Sequence, residues 1–183
     1  MRACAYIIGP EQGSGAALKE LARRIGFDSV HPFKSVAIAE QQTLFTPLVY
    51  FLFGSVTDVR TLRPVADAIR LSPSKRVRFS PMVYFADRPS LEAIRTCIGM
   101  GFDDIITLPF TLSRIEERLE RQTERPLIYY ETPTYFGPDR RNRMDDEPAH
   151  TGRGSGGQYR RMEIMRSANA GVNVLRDDLH VVL

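Results

Sequence analysis

The chain has 183 residues, a length that suits one domain with an extension. Apolar residues make up 43% and charged residues 26%, which excludes collagen-like, coiled-coil and wholly disordered chains. The net charge of +3 comes from basic and acidic residues mixed along the chain, a pattern that argues against nucleic acid as a partner.

Nothing in the sequence points to a membrane or to a metal. No apolar run reaches the length of a membrane span, and the first ten residues lack the apolar core of a signal peptide. Cys4 and Cys97 are too few for a disulfide framework, so we expect buried, reduced thiols. His31, His150 and His180 have no metal-ligand spacing. We therefore expect a cytoplasmic protein without a metal site or membrane insertion.

The first half of the chain predicts strands that alternate with helices. Residues 3–8 form an apolar run typical of a strand, and the glycine-rich residues 9–15 separate it from a helix that Gly26 ends. Residues 29–32 indicate a short edge strand, because their proline cannot donate to a ladder. A weak helical pattern follows at 36–39.

The middle of the chain continues this alternation. Residues 47–53 are apolar at nearly every position, as in a parallel strand covered on both faces. We predict a helix over 63–71, a basic connector over 75–78 and a fourth strand over 82–85. A helix that Asp87 and Pro89 open then runs to Met100.

The stretch MGFDDIITLPF organises the region around the fifth strand. Gly101 is placed to end a helix, residues 104–108 form an apolar strand pattern, and Pro109 stops it. Thr111 offers an N-cap to a helix over 111–122. Five β-α repeats predict an α/β domain with a five-stranded parallel sheet and helices on both faces. The spacing favours the flavodoxin-like strand order 2-1-3-4-5.

The remaining third of the chain differs in composition. Residues 125–136 carry two aromatic-rich runs, which predict a strand or short hairpin packed on the body. Residues 159–167 show a short helical pattern. We divide the chain into a domain over 1–123, an extension over 124–143 and, over 144–183, a flexible linker with a terminal interaction arm.

The string GFDDIITLPF resembles the region around the fifth strand of response-regulator receiver domains. That family carries G-A-D-D-Y, apolar residues and K-P-F before its last helix. The matching residues are Gly101, Asp103, Asp104, Pro109 and Phe110. The resemblance covers about residues 3–122. The string YFGPDRR resembles a tail found in bacterial single-domain response regulators.

The resemblance implies where a receiver keeps its phosphorylation chemistry. The family uses two acids after strand one and an aspartate ending strand three to hold magnesium and accept phosphate. A threonine or serine after strand four and a lysine after strand five contact the phosphoryl group. At these positions stand Gly9, Pro10, Leu52 (or Phe53, one residue on), Ala86 and Leu108. The replacements imply a pseudo-receiver with no phosphotransfer, which is not an enzyme and needs no cofactor.

Further expectations follow from the same resemblance. The protein should be a bacterial signalling protein that binds another signalling protein, or itself as a homodimer. The Leu108–Pro109 peptide bond should be cis. The partner surface should lie around the helix ending at Met100, the fifth strand and the helix over 111–122. The charged residues there are Arg95, Arg114, Glu117, Arg118 and Arg121.

Two groups of residues leave a ligand-binding alternative open. The loop Gly13-Ser14-Gly15 is either a phosphate cradle or a turn capped by Ser14; it lacks the lysine of a Walker motif. The Arg140, Arg141 and Arg143 cluster is either a solvated hinge or a clamp for carboxylates or phosphate. The rival hypothesis is a module that senses a nucleotide, including a cyclic dinucleotide. An enzyme on the same fold also stays open.

Overall fold

The computed structural model describes residues 1–139 and 157–181. Five strands form the first sheet: Cys4–Ile8 (β1), Ser29–Pro32 (β2), Val49–Phe53 (β3), Met82–Ala86 (β4) and Asp104–Thr107 (β5). The helices of this body are Ser14–Ile25 (α1), Val36–Gln42 (α2), Arg63–Arg70 (α3), Lys75–Arg78 (α4), Leu91–Gly99 (α5) and Leu112–Glu120 (α6). A 3₁₀ turn covers Val59–Leu62. The strands and helices predicted for the body are present, and α4 replaces the predicted connector.

The sheet has the order β2-β1-β3-β4-β5, and its paired strands are parallel. The predicted flavodoxin-like order is therefore confirmed. Alternate side chains of β3 enter two separate cores: Phe51 and Phe53 pack with Cys97, whereas Tyr50 and Leu52 pack on the other face. Helices α2, α3 and α5 cover the first face, and α1 and α6 cover the second. This double burial explains why β3 is apolar at every position.

Local signals fix the ends of several elements as predicted. Gly26 follows α1 with φ 84° and Gly101 follows α5 with φ 78°, in the left-handed region that glycine enters without penalty. The Thr111 hydroxyl accepts a hydrogen bond from the Arg114 backbone N–H at 3.3 Å and so caps α6. The Leu108–Pro109 peptide bond is cis.

A second, antiparallel sheet follows the body. Its strands are Pro126–Thr132 (β6), Tyr135–Pro138 (β7), Gln158–Ser167 (β8) and Gly171–Val181 (β9), in the order β7-β6-β8-β9. The two aromatic runs form the predicted hairpin β6–β7. The helix predicted over 159–167 is wrong, because these residues form β8 between β6 and β9. Met162, Ile164 and Arg166 are buried and alternate with more exposed neighbours, which is the period of a strand.

The second sheet packs against the amino ends of the parallel strands. Phe79, just before β4, meets Tyr129 of β6 and Phe136 of β7 with ring centroids 5.3 Å apart in each case. Met162 and Ile164 of β8 complete this third core. The carboxyl ends of the parallel strands therefore remain at the opposite edge of the body, away from the second sheet.

Two smaller expectations concern membranes and thiols. Across residues 1–139 and 157–181, no helix is long and apolar enough to cross a membrane. Cys4 and Cys97 are both free and buried, as expected from the sequence. Burial raises the pKa of the Cys4 thiol.

Candidate functional site

The residues predicted for the degenerate phosphorylation pocket meet at the carboxyl edge of the parallel sheet. Leu52 pairs with Ile7 in the ladder between β3 and β1. The Leu108 backbone N–H donates to the Ala86 carbonyl at 3.0 Å. Gly9 and Pro10 follow β1 at the same edge, where both are exposed. The five predicted positions therefore share one edge of the sheet, and none of their side chains carries an acid, a hydroxyl or an amine.

The residues of the predicted phosphorylation pocket differ in their exposure to solvent. Leu52 is completely buried, whereas Leu108 is 45% exposed. A cavity of about 270 Å³ opens between α1, the loop after β4 and the start of the β5–α6 connection. Its apolar lining comes from Leu18, Leu21, Phe85, Ala86, Leu108 and Phe110. A phosphoryl dianion placed here would face hydrocarbon instead of cations, which is a costly environment for charge.

The acids nearest to this edge are already paired with arginines. The Asp58 carboxylate accepts two hydrogen bonds of 2.9 Å from Arg60, one from Nε and one from Nη2. These hydrogen bonds, and one from the Arg60 backbone, lower the pKa of Asp58. Asp87 lies 3.3 Å from Arg88 on the surface. Within the described residues, no group of three or more histidine, cysteine, aspartate or glutamate side chains is placed to hold a metal ion.

The glycine-rich loop between β1 and α1 is packed closely on its own backbone. A Cβ at Gly15 would overlap the Pro10 carbonyl oxygen, so only glycine fits there. The Ser14 hydroxyl donates to the Ser55 carbonyl at 2.9 Å and does not cap α1, whose N-cap is Gly13. The predicted cap by Ser14 is therefore wrong, because the Ser14 hydroxyl hydrogen-bonds to the loop that follows β3 and not to the backbone of α1.

The opposite edge of the sheet holds a buried ionic group that the sequence did not reveal. We call it the Asp103 cluster, and it comprises Arg70, Asp103, Tyr129 and Arg166. Asp103 Oδ2 accepts from Arg70 at 2.6 Å and from the Met82 backbone N–H at 2.7 Å. Asp103 Oδ1 accepts from Arg166 at 2.7 Å and from the Tyr129 hydroxyl. Four donors therefore saturate this carboxylate.

Backbone carbonyls balance the excess positive charge of the Asp103 cluster. Arg70 donates to the carbonyls of Gly101, Arg78 and Ser80 at 2.6–2.9 Å. Arg166, whose side chain is fully buried, donates to the Phe79 carbonyl at 2.6 Å and to Gln122. Two guanidiniums thus share one carboxylate and several oriented dipoles, an arrangement in which a buried charge is tolerated.

The electrostatics of the Asp103 cluster favour the charged carboxylate. Burial pushes the pKa of Asp103 upward, but Arg166, Arg70 and the hydroxyl of Tyr129 outweigh burial and hold the pKa at about 2. Burial raises the pKa of the Tyr129 hydroxyl, which therefore stays protonated and donates. Since Arg166 lies on β8, Tyr129 on β6 and Asp103 before β5, the cluster joins the two sheets.

A close backbone contact lies beside the Asp103 cluster. A Cβ at Gly101 would overlap the Phe136 carbonyl oxygen, and one at Gly137 would lie 2.7 Å from the Gly101 Cα. Gly101 belongs to the string that resembles receivers, and Gly137 belongs to YFGPDRR. The two sequence segments therefore pack against each other, and their glycines permit the close approach of the two backbones.

The predicted partner surface is divided between two faces of the sheet. Arg95 is exposed on α5, whereas Arg114, Glu117, Arg118 and Arg121 line one cleft on α6. This cleft has a volume of about 420 Å³. It includes four further residues that the prediction lacked: Asp103, Asp104, Gln122 and Arg125.

Two arginines of this cleft already form ion pairs with acids of the same chain. Arg118 donates to the Asp104 carboxylate, at 2.8 Å through Nε, and to the Ile105 carbonyl. Arg121 lies 2.5 Å from Glu117. In the described ranges, Arg114 and Arg125 form no ion pair. The predicted cluster of Arg140, Arg141 and Arg143 lies outside the described residues.

Comparisons with known proteins return receiver domains. The chain is similar to the signal receiver domain of a signal transduction histidine kinase from Syntrophus aciditrophicus, with 16% identity, a TM-score of 0.43 and coverage of 66% of this chain and 88% of that one. It is also similar to the receiver domain of a sensor histidine kinase from Pseudomonas aeruginosa, solved with magnesium in its active-site cleft. There the identity is 14% and the TM-score 0.45, over 66% of this chain and 95% of that one. No protein-family model and no curated protein matches the chain.

Proposed function

We propose that this chain is a receiver-like signalling domain that acts without phosphorylation, through contacts with another protein. The observation that carries the proposal is Leu52, which is fully buried at the position to which the resemblance assigns a receiver's phosphate-accepting aspartate; Phe53, one residue on, is equally buried. A leucine has no oxygen to attack a phosphoryl donor. Its neighbours Ala86 and Leu108 provide neither a hydroxyl nor a cation for the product.

The surroundings of Leu52 support the same proposal. Leu52 packs in a continuous apolar core with Ile7, Leu18 and Phe85, so a polar replacement would lose burial without gaining a partner. The nearest acid on the following loop, Asp58, binds Arg60 with both carboxylate oxygens. The side chains at this edge are therefore arranged for packing and not for phosphoryl transfer.

The contact surface that we propose is the cleft beside α6. Arg114 and Arg125 lie in it without an ion pair among the described residues, next to the paired Arg118 and Arg121. Arginine binds carboxylates through two parallel hydrogen bonds, so the cleft suits acidic side chains of a partner protein. Arg118 is the least available of these residues, because Asp104 already occupies its guanidinium. Arg95, exposed on α5, is the proposed contact on the other face.

The experiment that tests the proposal is incubation with acetyl phosphate and magnesium, followed by intact mass measurement. An unmodified receiver in the same mixture serves as the positive control. We expect the control to gain one phosphoryl group and this chain to gain none, because its acceptor position is a buried leucine. A phosphate on this chain that hydroxylamine removes, as it removes acyl phosphates, would overturn the proposal.

A further inference from the structure

The second sheet ends in a long strand with an unpaired edge. β9 has 11 residues and pairs with β8 alone in the described part of the chain. The other edge strand of this sheet, β7, has 4 residues. The outer backbone N–H and C=O groups of a long edge strand form a template on which another strand can pair.

The side chains of β9 protect this edge only in part. The strand carries charges and a bulge, which commonly blunt an edge, but the sequence GVNVLRDDLHV contains no lysine or proline. Instead, Leu175, Leu179 and Val181 are 49%, 57% and 62% exposed. A bulge lies at Leu175, since Glu163 faces Arg176 and Ile164 faces Val174. The regular part of the strand therefore runs from Arg176 onward.

The charges of β9 complement a second copy of the same strand. In an antiparallel pair with its two-fold axis at Asp177, Arg176 of one copy stands opposite Asp178 of the other, and this happens twice. The same alignment places Leu179 of each copy beside the bulge at Leu175 of the other, also twice. Opposite charges and apolar pairs directly across a ladder are stabilising.

The neighbouring alignments of the same strands are less suitable. Moving the axis by half a residue is excluded by the pleat, because residues directly opposite in an antiparallel pair share a face, whereas Asp177 and Asp178 point to opposite faces. Moving it by one residue places Asp178 opposite itself and Leu179 opposite Asp177. In the favoured alignment Asp177 also faces its own copy, but each Asp177 carries Arg160 of β8 as counter-ion at 2.7 Å.

We propose that a second copy of this chain pairs with β9 edge to edge, about a two-fold axis at Asp177, and joins the two antiparallel sheets into one. The pairing deepens the proposed function, because it names a second copy as one of the protein partners. It is separate from the cleft beside α6, which lies on the parallel-sheet body.

The first test is the molar mass of the full chain over a wide concentration range by light scattering. We expect a dimer whose Kd weakens by at least about tenfold in Leu179→Lys, since each substitution acts twice across the axis. Leu91→Lys is the matched control, because Leu91 is 62% exposed on α5, outside the proposed interface. It should leave the Kd unchanged.

Charge exchange tests the alignment itself. Arg176→Asp and Asp178→Arg should each weaken the dimer, and the double variant should restore it, because every opposite-charge pair is re-formed in reverse. Within one copy Arg176 also lies 2.5 Å from Asp178, and the double variant re-forms that pair too. An equimolar mixture of the two single variants re-forms only the pairs between copies, so its dimerisation separates pairing from monomer stability. A double variant weaker than either single variant would overturn the alignment.

A cysteine at the axis gives a positional test. Asp177→Cys should form a disulfide between copies under mild oxidation with diamide, because residues facing each other in an antiparallel pair have suitable Cα separations. Asn173→Cys is the control and should not, since the axis is four residues away. The native cysteines are buried.

The outcomes separate this inference from the proposed function. Pairing through β9 is overturned if the wild-type chain stays monomeric at every concentration. It is also overturned if a dimer persists in Leu179→Lys and dissociates in Arg114→Glu. If such a chain also takes no phosphate, the proposed function stands. A β9 dimer that forms only after acetyl phosphate treatment would instead contradict the proposed function and retain the pairing.

Discussion

The two ends of the parallel strands differ in chemistry. The carboxyl ends surround Leu52, Ala86 and Leu108, which are apolar side chains where the receiver resemblance expects an aspartate, a hydroxyl and a lysine. The amino ends hold Asp103 between Arg70 and Arg166, fully buried and saturated with hydrogen bonds. The positions that the resemblance assigns to phosphorylation therefore carry no charge, whereas a fully buried ionic group lies at the edge where the second sheet packs.

This difference separates the carboxylates that a phosphorylation site needs from a carboxylate that stabilises a fold. A phosphorylation site needs acids that are open to magnesium and to a phosphoryl donor, with unused lone pairs. The Asp103 carboxylate has no unused lone pair for magnesium, because four donors already bind it. Its hydrogen bonds join β6 and β8 to the body, and with them β9, the strand that we propose for pairing.

The largest expected effect comes from breaking the Asp103 cluster. Asp103→Asn leaves two buried guanidiniums without a counter-charge, and we expect a loss of about 3–5 kcal/mol in the free energy of unfolding. Urea denaturation measures it. The neighbouring Asp104→Asn is the matched control, because Asp104 pairs with one arginine, Arg118, whose side chain is 27% exposed. This variant should cost only about 1 kcal/mol. Equal losses in the two variants would contradict the account.

The second prediction concerns the contact between Gly101 and Phe136. Gly101→Ala should destabilise the chain by about 2–4 kcal/mol, from the left-handed backbone and from overlap with the Phe136 carbonyl. Gly99→Ala is the control, since Gly99 has open space around its Cα and lies in α5. That variant should be neutral or about 0.5–1 kcal/mol more stable in the same urea titration. A tolerated Gly101→Ala would show that the two strings do not pack closely.

The parallel sheet was predictable because its signals are local. The apolar run of β3 and the glycine, proline and threonine around β5 each specify one element from a few neighbouring residues. The Asp103 cluster was not predictable, because its members come from α3, from the start of β5, from β6 and from β8. Arg166 even obscured β8, since a charged residue at a buried position hides the alternation of Met162 and Ile164.

The third prediction is a loss of stability in acid. The pKa of Asp103 is about 2 in the folded chain and about 3.9 in an unfolded one, so the carboxylate stabilises the fold above the unfolded value. This contribution, about 2–3 kcal/mol, should disappear progressively as the pH falls from about 5 to 2. Urea midpoints measured across that range should fall more steeply for the wild type than for Asp103→Asn. If the midpoints of the two proteins fell in parallel, the group responsible for the loss of stability in acid would not be Asp103.

The smallest expected effect lies at the carboxyl edge. Leu108→Lys restores the lysine of the receiver pattern at a position that is 45% exposed, so stability should change by no more than about 0.5 kcal/mol. The variant should still take no phosphate, because Leu52 remains at the acceptor position. Intact mass after acetyl phosphate treatment checks this. Phosphate uptake by the variant would reveal an acceptor at this edge, with Asp58 and Asp87 as the first residues to map.

Hydrogen exchange of the full chain, with and without magnesium and beryllium fluoride, tests the contrast between the two edges most directly. Beryllium fluoride mimics an aspartyl phosphate and would protect the strand ends of a working receiver. We predict no change at residues 52–58 and 86–90, and equally slow exchange of β4, β6 and β8 in both conditions. New protection at the carboxyl edge, or rapid exchange of β8 while β4 stays protected, would contradict this prediction.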